Sequence, residues 1–285
     1  MSVQDAVKAG GASWSIEDIP YGTLAPQGQQ AGGDAKRDDL LFYLVASASF
    51  IEITSHLYSH NLIDYFRGDA EVTGWLEREW EPEEMQHGAA LKRYVQTAWP
   101  GFDWDSAYKT FLKLYTPLCK PERLAETKTL EMAARCVVET GTASFYRTLS
   151  SLSADEPVLR RLAASISADE VRHYKHFYAY FLRYRDVDKT SRTAVARALW
   201  NRVVDVEAED AFCAYKALFL ARHPGADPTK GDYEEYRASV LQLMKDHLPE
   251  EMTAKMLLKP LGLHAMISKA MLPVLTSATH FFLFR

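Results

Sequence analysis

Two short stretches of the chain carry side chains of the types that can ligate metal ions: Glu83-Glu84-Met85-Gln86-His87-Gly88 and Asp169-Glu170-Val171-Arg172-His173. Each contains an acid followed by Glu-x-x-His. On a helix, residues i and i+3 share one face. Glu84 with His87, and Glu170 with His173, would therefore each present an oxygen and a nitrogen side by side. One Glu-x-x-His is common on solvated helices, but here each copy has a partner upstream. Glu52 precedes Glu84 by 32 residues, and Glu139 precedes Glu170 by 31. The chain divides into two halves, each supplying Glu and then Glu-x-x-His.

All four carboxylates fall on apolar stripes at helical spacing. Leu41, Val45, Ala48, Glu52 and Ser55 form one stripe, and Leu76, Trp80, Glu84, His87 and Leu91 another. Met132, Cys136, Glu139, Thr142 and Tyr146 form a third, and Leu162, Ile166, Glu170, His173 and Phe177 the fourth. Four buried acids facing one another would repel, and some would be forced to stay protonated. Two divalent cations would balance four carboxylates, with two neutral imidazoles completing the set. Oxygen and imidazole ligands suit iron or manganese, and no thiolate draws the site toward zinc or copper. The competing reading, ordinary surface acids, has to explain why six residues fall on inner stripes at paired intervals.

A Glu from each of two helices plus Glu-x-x-His from two more is the ligand set of ferritin-like di-iron and di-manganese carboxylate bundles. The residues extend this likeness. Trp80-Glu81-Pro82-Glu83-Glu84-Met85-Gln86-His87-Gly88 resembles the W-x-x-E-E-x-x-H-G segment of soluble acyl-acyl carrier protein desaturases, and Ala168-Asp169-Glu170-Val171-Arg172-His173 resembles their A-D-E-x-R-H segment. Thr142 stands three residues after Glu139, as in that family. The resemblance covers roughly residues 38 to 185. It implies two iron ions, with a manganese–iron pair as the alternative, and ligands Glu52, Glu84, His87, Glu139, Glu170 and His173. It further implies an oxygen-dependent oxidation of an unactivated C–H bond in a fatty-acyl or similar apolar, sometimes carrier-bound, substrate. An external electron donor such as a ferredoxin, a homodimer, a catalytic hydroxyl at Thr142 and a histidine-orienting acid at Asp169 also follow from it. Glu83 is the matching acid of the first motif. Two departures keep other outcomes open. The family usually carries Arg immediately before the first-motif histidine, where Gln86 stands here, and the Glu52-to-Glu84 interval is shorter than is typical of the plant-type enzymes. A hydroxylase or N-oxygenase acting on another small molecule is one alternative. A non-enzymatic iron-binding protein or ferroxidase is another.

Composition sets broad bounds. The 285 residues are 47% hydrophobic and 25% charged, which is ordinary for a globular protein. The net charge of −5 gives no electrostatic reason to expect nucleic acid. Cys119, Cys136 and Cys213 are far apart and read as reduced thiols. No stretch reaches the roughly 18 uninterrupted apolar residues of a membrane span, and no signal peptide is visible. The expectation is a cytoplasmic protein. No nucleotide, hydride-transfer or hydrolase motif is present.

The elements that must position these residues are helices throughout. The expected fold is all-α: a ferritin-like four-helix bundle with additional C-terminal helices. Residues 1–37, rich in Gly, Gln and Ala, read as an extended or disordered arm that Trp14 and Tyr21 could tack to the body, dispensable over residues 1 to 30. Residues 38–285 form one domain, with the metal-binding bundle in 38–185 and accessory helices in 190–285. Long helices are expected from Asp38 to about Phe66, Asp69 to Trp99, Pro121 to Leu152 and Asp155 to Tyr184. Pro82 predicts a kink or local widening, or a restart at Glu81. A smaller helix should span Asp105–Tyr115. Further helices are expected over Thr193–Arg222, Tyr233–His247 and Pro249–Leu258, then after Gly262. The apolar tail Phe281–Phe284 is expected to pack on the bundle or a second subunit. Gly88, Gly141 and Ala143 could leave room for a substrate channel or allow close helix packing.

Overall fold

The computed structural model describes residues 13–24, 35–119, 124–205 and 209–264. These are helical with no strand among them. The α-helices are α1 (Ala35–Ile53), α2 (His56–Tyr65), α3 (Ala70–Trp75), α4 (Glu81–Ala98), α5 (Trp104–Tyr115), α6 (Lys128–Leu152), α7 (Pro157–Asp188), α8 (Arg192–Asp205), α9 (Glu209–Arg222), α10 (Lys230–Met244) and α11 (Glu250–Leu258). No single helix among the described residues is long and apolar enough to cross a membrane.

Four limbs carry the motifs. α1 and α2 form the first, α3 and α4 the second, and α6 and α7 the third and fourth. α6 packs along α7, and α1 along α4. Local chemistry sets their starts. The Glu156 carboxylate accepts from the backbone N–H groups of Val158 and Leu159, and Pro157 follows in the first turn, where its missing N–H costs nothing. Thr127 caps α6 by accepting from Leu130 N–H. That cap places the start at Lys128 rather than Pro121, which lies outside the described residues.

Two expectations about continuity are corrected. The helix expected from 38 to 66 breaks at Thr54–Ser55, and α1 and α2 are bent by 41° there. Thr54 and Ser59 turn their hydroxyls back onto the carbonyls of Phe50 and His56, an alternative to the helical ladder that weakens it. The second limb widens into a π-helical segment over Leu76–Trp80, directly before α4 with Pro82 in its first turn. Widening and restart occur together, because Pro82 has no N–H for the carbonyl four residues earlier. The helix expected over Thr193–Arg222 is two helices, with residues 206–208 outside the described set. The segment beyond His264, including Phe281–Phe284, also lies outside it.

The core consists of two apolar clusters. One contains Val45, Phe50, Leu91, Tyr94, Leu162 and Ile166; the other contains Leu62, Trp80, Met132, Phe177, Tyr180 and Phe181. Along each limb the potential ligands fall where one cluster gives way to the other. Removing a side chain such as Leu91 or Phe177 would cost about 2–5 kcal/mol. The polar centre is thus held between two dry, close-packed plugs.

The arm is corrected in part. Residues 13–24 form two short 3₁₀ turns, Ile16–Asp18 and Tyr21–Thr23. Ile19 and Tyr21 are buried in the first cluster, and the Tyr21 hydroxyl donates to Ala90 O at 2.9 Å.

Candidate metal centre

All six expected ligands meet in one buried cluster. Glu52, Glu84, His87, Glu139, Glu170 and His173 are each no more than 6% exposed. Two groups bring one ligand atom from each member within 4.8 Å of the others: Glu52, Glu84, His87 and Glu170, and Glu84, Glu139, Glu170 and His173. Glu84 and Glu170 belong to both. Cations held by these two groups would have Glu84 and Glu170 in common, with Glu52 and His87 belonging to one group alone and Glu139 and His173 to the other. None of the other histidines among the described residues joins either group.

The histidines are oriented across the motifs. His87 Nε2 lies 3.1 Å from Asp169 Oδ2, the acid of the second motif. His173 Nε2 lies 2.8 Å from Glu83 Oε2, the acid of the first. Arg172 joins the two acids, donating to Asp169 Oδ1 and Glu83 Oε2 at 2.6 Å each. With Nε2 donating to a carboxylate, each Nδ1 keeps its lone pair for a cation. Both Nδ1 atoms point inward, to 3.2 Å from Glu170 Oε1 for His87 and 3.1 Å from Glu84 Oε1 for His173.

Fit to a metal pair can be tested on the polar atoms. The Nδ1 atoms of His87 and His173, Glu139 Oε2 and Glu170 Oε1 are buried without a hydrogen-bond partner. Such orphaned groups are costly and rare, and all four converge on the two groups above. The titration of the cluster points the same way. Burial, then the charges of Glu84 and Glu170, push the Glu52 carboxyl well above its ordinary range. Burial and the Glu170 charge raise Glu139 to about 8, against the nearby His173 imidazole, which lowers it. Burial opposes a charged His87, yet its hydrogen bond to Asp169 and the nearby carboxylates of Glu170 and Glu84 raise it to about 10. Burial likewise opposes ionised Asp169, but the His87 bond and charge and Arg172 hold it at about 2. These protons stand where cations would neutralise the same carboxylates. The donor set fits two divalent cations.

Thr142 and Tyr146 both reach the cluster. The Thr142 hydroxyl donates to Glu170 Oε2 at 2.8 Å, closer than its own helix carbonyls Val138 O and Glu139 O at 3.3 Å. The Tyr146 hydroxyl donates to Glu52 Oε1 at 2.5 Å. Gly88 serves packing rather than a channel, since a Cβ there would lie 2.3 Å from Ile53 N. Gly141 faces open space, and Ala143 is fully buried. Sequence reasoning missed what the arm does here: Trp14 Nε1 donates to Asp169 Oδ2 at 2.7 Å and Ser13 Oγ to Asp169 Oδ1 at 3.2 Å. Only the arm's two aromatics, Trp14 and Tyr21, hinted at docking. No protein-family profile matches the chain, and no curated protein matches it significantly.

Proposed function

We propose that the chain is a ferritin-like di-iron carboxylate protein of the oxidase type. In this reading it oxidises an unactivated C–H bond of a fatty-acyl or similar apolar substrate, as the resemblance to soluble acyl-acyl carrier protein desaturases implies. One observation carries it: six buried ligand residues from four limbs make two overlapping groups that share Glu84 and Glu170, with orphaned donor atoms converging on both. Bound iron would supply the redox power and the oxygen-binding position, with electrons from an external donor such as a ferredoxin.

The chain's own residues would do the rest. The apolar clusters on either side exclude water. Asp169 and Glu83 fix the ring orientation of His87 and His173. Thr142 holds a proton at Oγ1 against Glu170, on the inner face, where it can be donated to a developing negative charge. A bond to a ligand carboxylate favours oxygen chemistry over simple iron storage, which needs no hydroxyl at that position.

The test is anaerobic loading with ferrous iron, followed by oxygen, a reductant and fatty-acyl thioesters. Two irons per chain and an acyl product two hydrogens lighter are expected. A hydroxylated product would move the assignment to a hydroxylase. A protein that binds no iron under these conditions would sink it.

A further inference from the structure

We infer that residues 13–24 are a clamp built for one half of this centre: through Trp14 and Asp169 they set the ring of His87, so the cation position at His87 depends on them and that at His173 does not. The inference rests on the metal-centre reading above and extends it to a segment without ligands.

The clamp has an anchor and a tip. The anchor lies along α4. Tyr21 is 4% exposed and donates to Ala90 O, and the Arg93 guanidinium lies over its ring at 4.6 Å while pairing with Glu17 at 2.7 Å. Gln86 Nε2 donates to Trp14 O at 3.1 Å. Gln86, Ala90 and Arg93 follow at four- and three-residue spacing, so they form one stripe of α4. That stripe begins at the residue before His87. The tip is Trp14, whose indole N–H continues past α4 to Asp169 on α7. Packing of Ile19 and Tyr21 would dock the segment without this bond. The bond goes instead to the one carboxylate that orients His87.

Asp169 is wholly buried and takes bonds on both oxygens. Oδ1 accepts from Arg172 and Ser13, and Oδ2 from Trp14 and His87 Nε2. The Trp14 ring is parallel to that of His87, with centroids 6.2 Å apart and planes at 1°. Removing Trp14 frees one side of Oδ2 and opens Asp169 to water, and the His87 ring loses its fixed partner. Among the described residues no bond joins the opposite histidine or its acid to this segment, and Arg172 is what links them to Asp169. Glu83 is held by Arg172 and His173, and the aromatic ring beside His173 is Trp75, edge-on at 6.3 Å, from the second limb itself.

The test uses full-length protein and Trp14→Phe, which keeps an aromatic ring and removes the N–H. Cobalt(II) binding is followed by calorimetry and by visible absorption. Wild type should show two sites. Trp14→Phe should weaken one by up to about 10-fold, the lower end of the roughly 10–100-fold cost of losing the carboxylate that orients a metal-binding histidine, and leave the other unchanged. A double-mutant cycle identifies which. Trp14→Phe should weaken the remaining site in His173→Ala and have no effect in His87→Ala. Equal weakening in both backgrounds, or none in either, overturns the inference in favour of a packing role. A second readout needs no metal. The Trp14 indole proton should exchange slowly with solvent in wild type and quickly in Asp169→Ala. Fast exchange in wild type overturns the clamp whatever the protein binds. Slow exchange in a protein that takes up no cobalt would leave the clamp standing and count against the metal-centre reading instead.

Discussion

Glu52, Glu84 and His87 stand on interrupted helices, whereas Glu139, Glu170 and His173 stand on continuous ones. α1 ends one residue after Glu52, and α4 begins three residues before Glu84 at the end of a π-helical segment. α6 and α7 run unbroken through their ligands for 25 and 32 residues. Both halves nevertheless deliver the same donor set. Equivalent ligand geometry therefore does not require equivalent backbones. The regular half is positioned by helix packing along its whole length. The irregular half needs extra ties: Gly88 pressed against Ile53, Tyr146 holding Glu52, and the docked segment around Trp14. π-helical turns recur at functional sites because they re-aim a side chain, and this one lies immediately ahead of the first Glu-x-x-His.

The comparison is tested most strongly at the shared carboxylates. Glu84→Ala and Glu170→Ala should each weaken both cation positions by at least ~100-fold, since each removes a ligand common to both and cuts deeper than loss of an orienting group. Glu139→Ala should abolish only the His173 position, and Glu52→Ala only the His87 position, as read by metal analysis of dialysed protein. Loss of both metals in Glu52→Ala and Glu139→Ala alike would show that the halves are not separable.

The next largest effect is expected from pH on metal-free protein. His87 has a folded pKa raised to about 10, so its contribution is complete below the ordinary histidine value and lost as pH rises toward 10. Glu139 is raised to about 8. The folded state then holds more protons than the unfolded one above pH 4.5, and stability again falls as pH rises. Both groups act in one direction, so thermal midpoints of metal-free protein should drop between pH 5 and 10. The total would be on the order of a few kcal/mol. Metal-loaded protein should be flatter, because cations replace those protons. Parallel curves with and without metal would argue against cation binding at these carboxylates.

Gly88→Ala should cost about 1–3 kcal/mol by overpacking, lowering the midpoint by several degrees. The added Cβ meets the Ile53 backbone rather than a flexible side chain. It should also weaken the His87 position more than the His173 position. Gly141→Ala, which faces open space, is the control and should not lower stability. The smallest effects belong to the two hydroxyls. Tyr146→Phe should weaken the Glu52 half by about tenfold, the equivalent of one hydrogen bond to a charged group, as seen by calorimetric titration. Thr142→Val should retain both metals and yield less product and more hydrogen peroxide per oxygen consumed. Unchanged coupling there would leave Thr142 as packing.

The chain itself determined which residues share a helix face. Spacing of three and four along a helix is a local property, so Glu84 with His87, Glu170 with His173 and Thr142 with Glu139 were legible without a fold. So was the burial of the acids, since each lay within an apolar stripe, and so was the disturbance at Pro82. The break at Thr54–Ser55 was not legible, because no proline or glycine marks it. The hydroxyls of Thr54 and Ser59 turn back onto carbonyls there, beside the point where Gly88 lets α4 approach Ile53 closely. Only the tertiary structure decided how the motifs join. His87 pairs with Asp169 across 82 residues, His173 with Glu83 across 90, and Trp14 with Asp169 across 155. Such contacts have no periodic trace in sequence. They depend on which helices become neighbours, a choice set by burying the apolar stripes against one another.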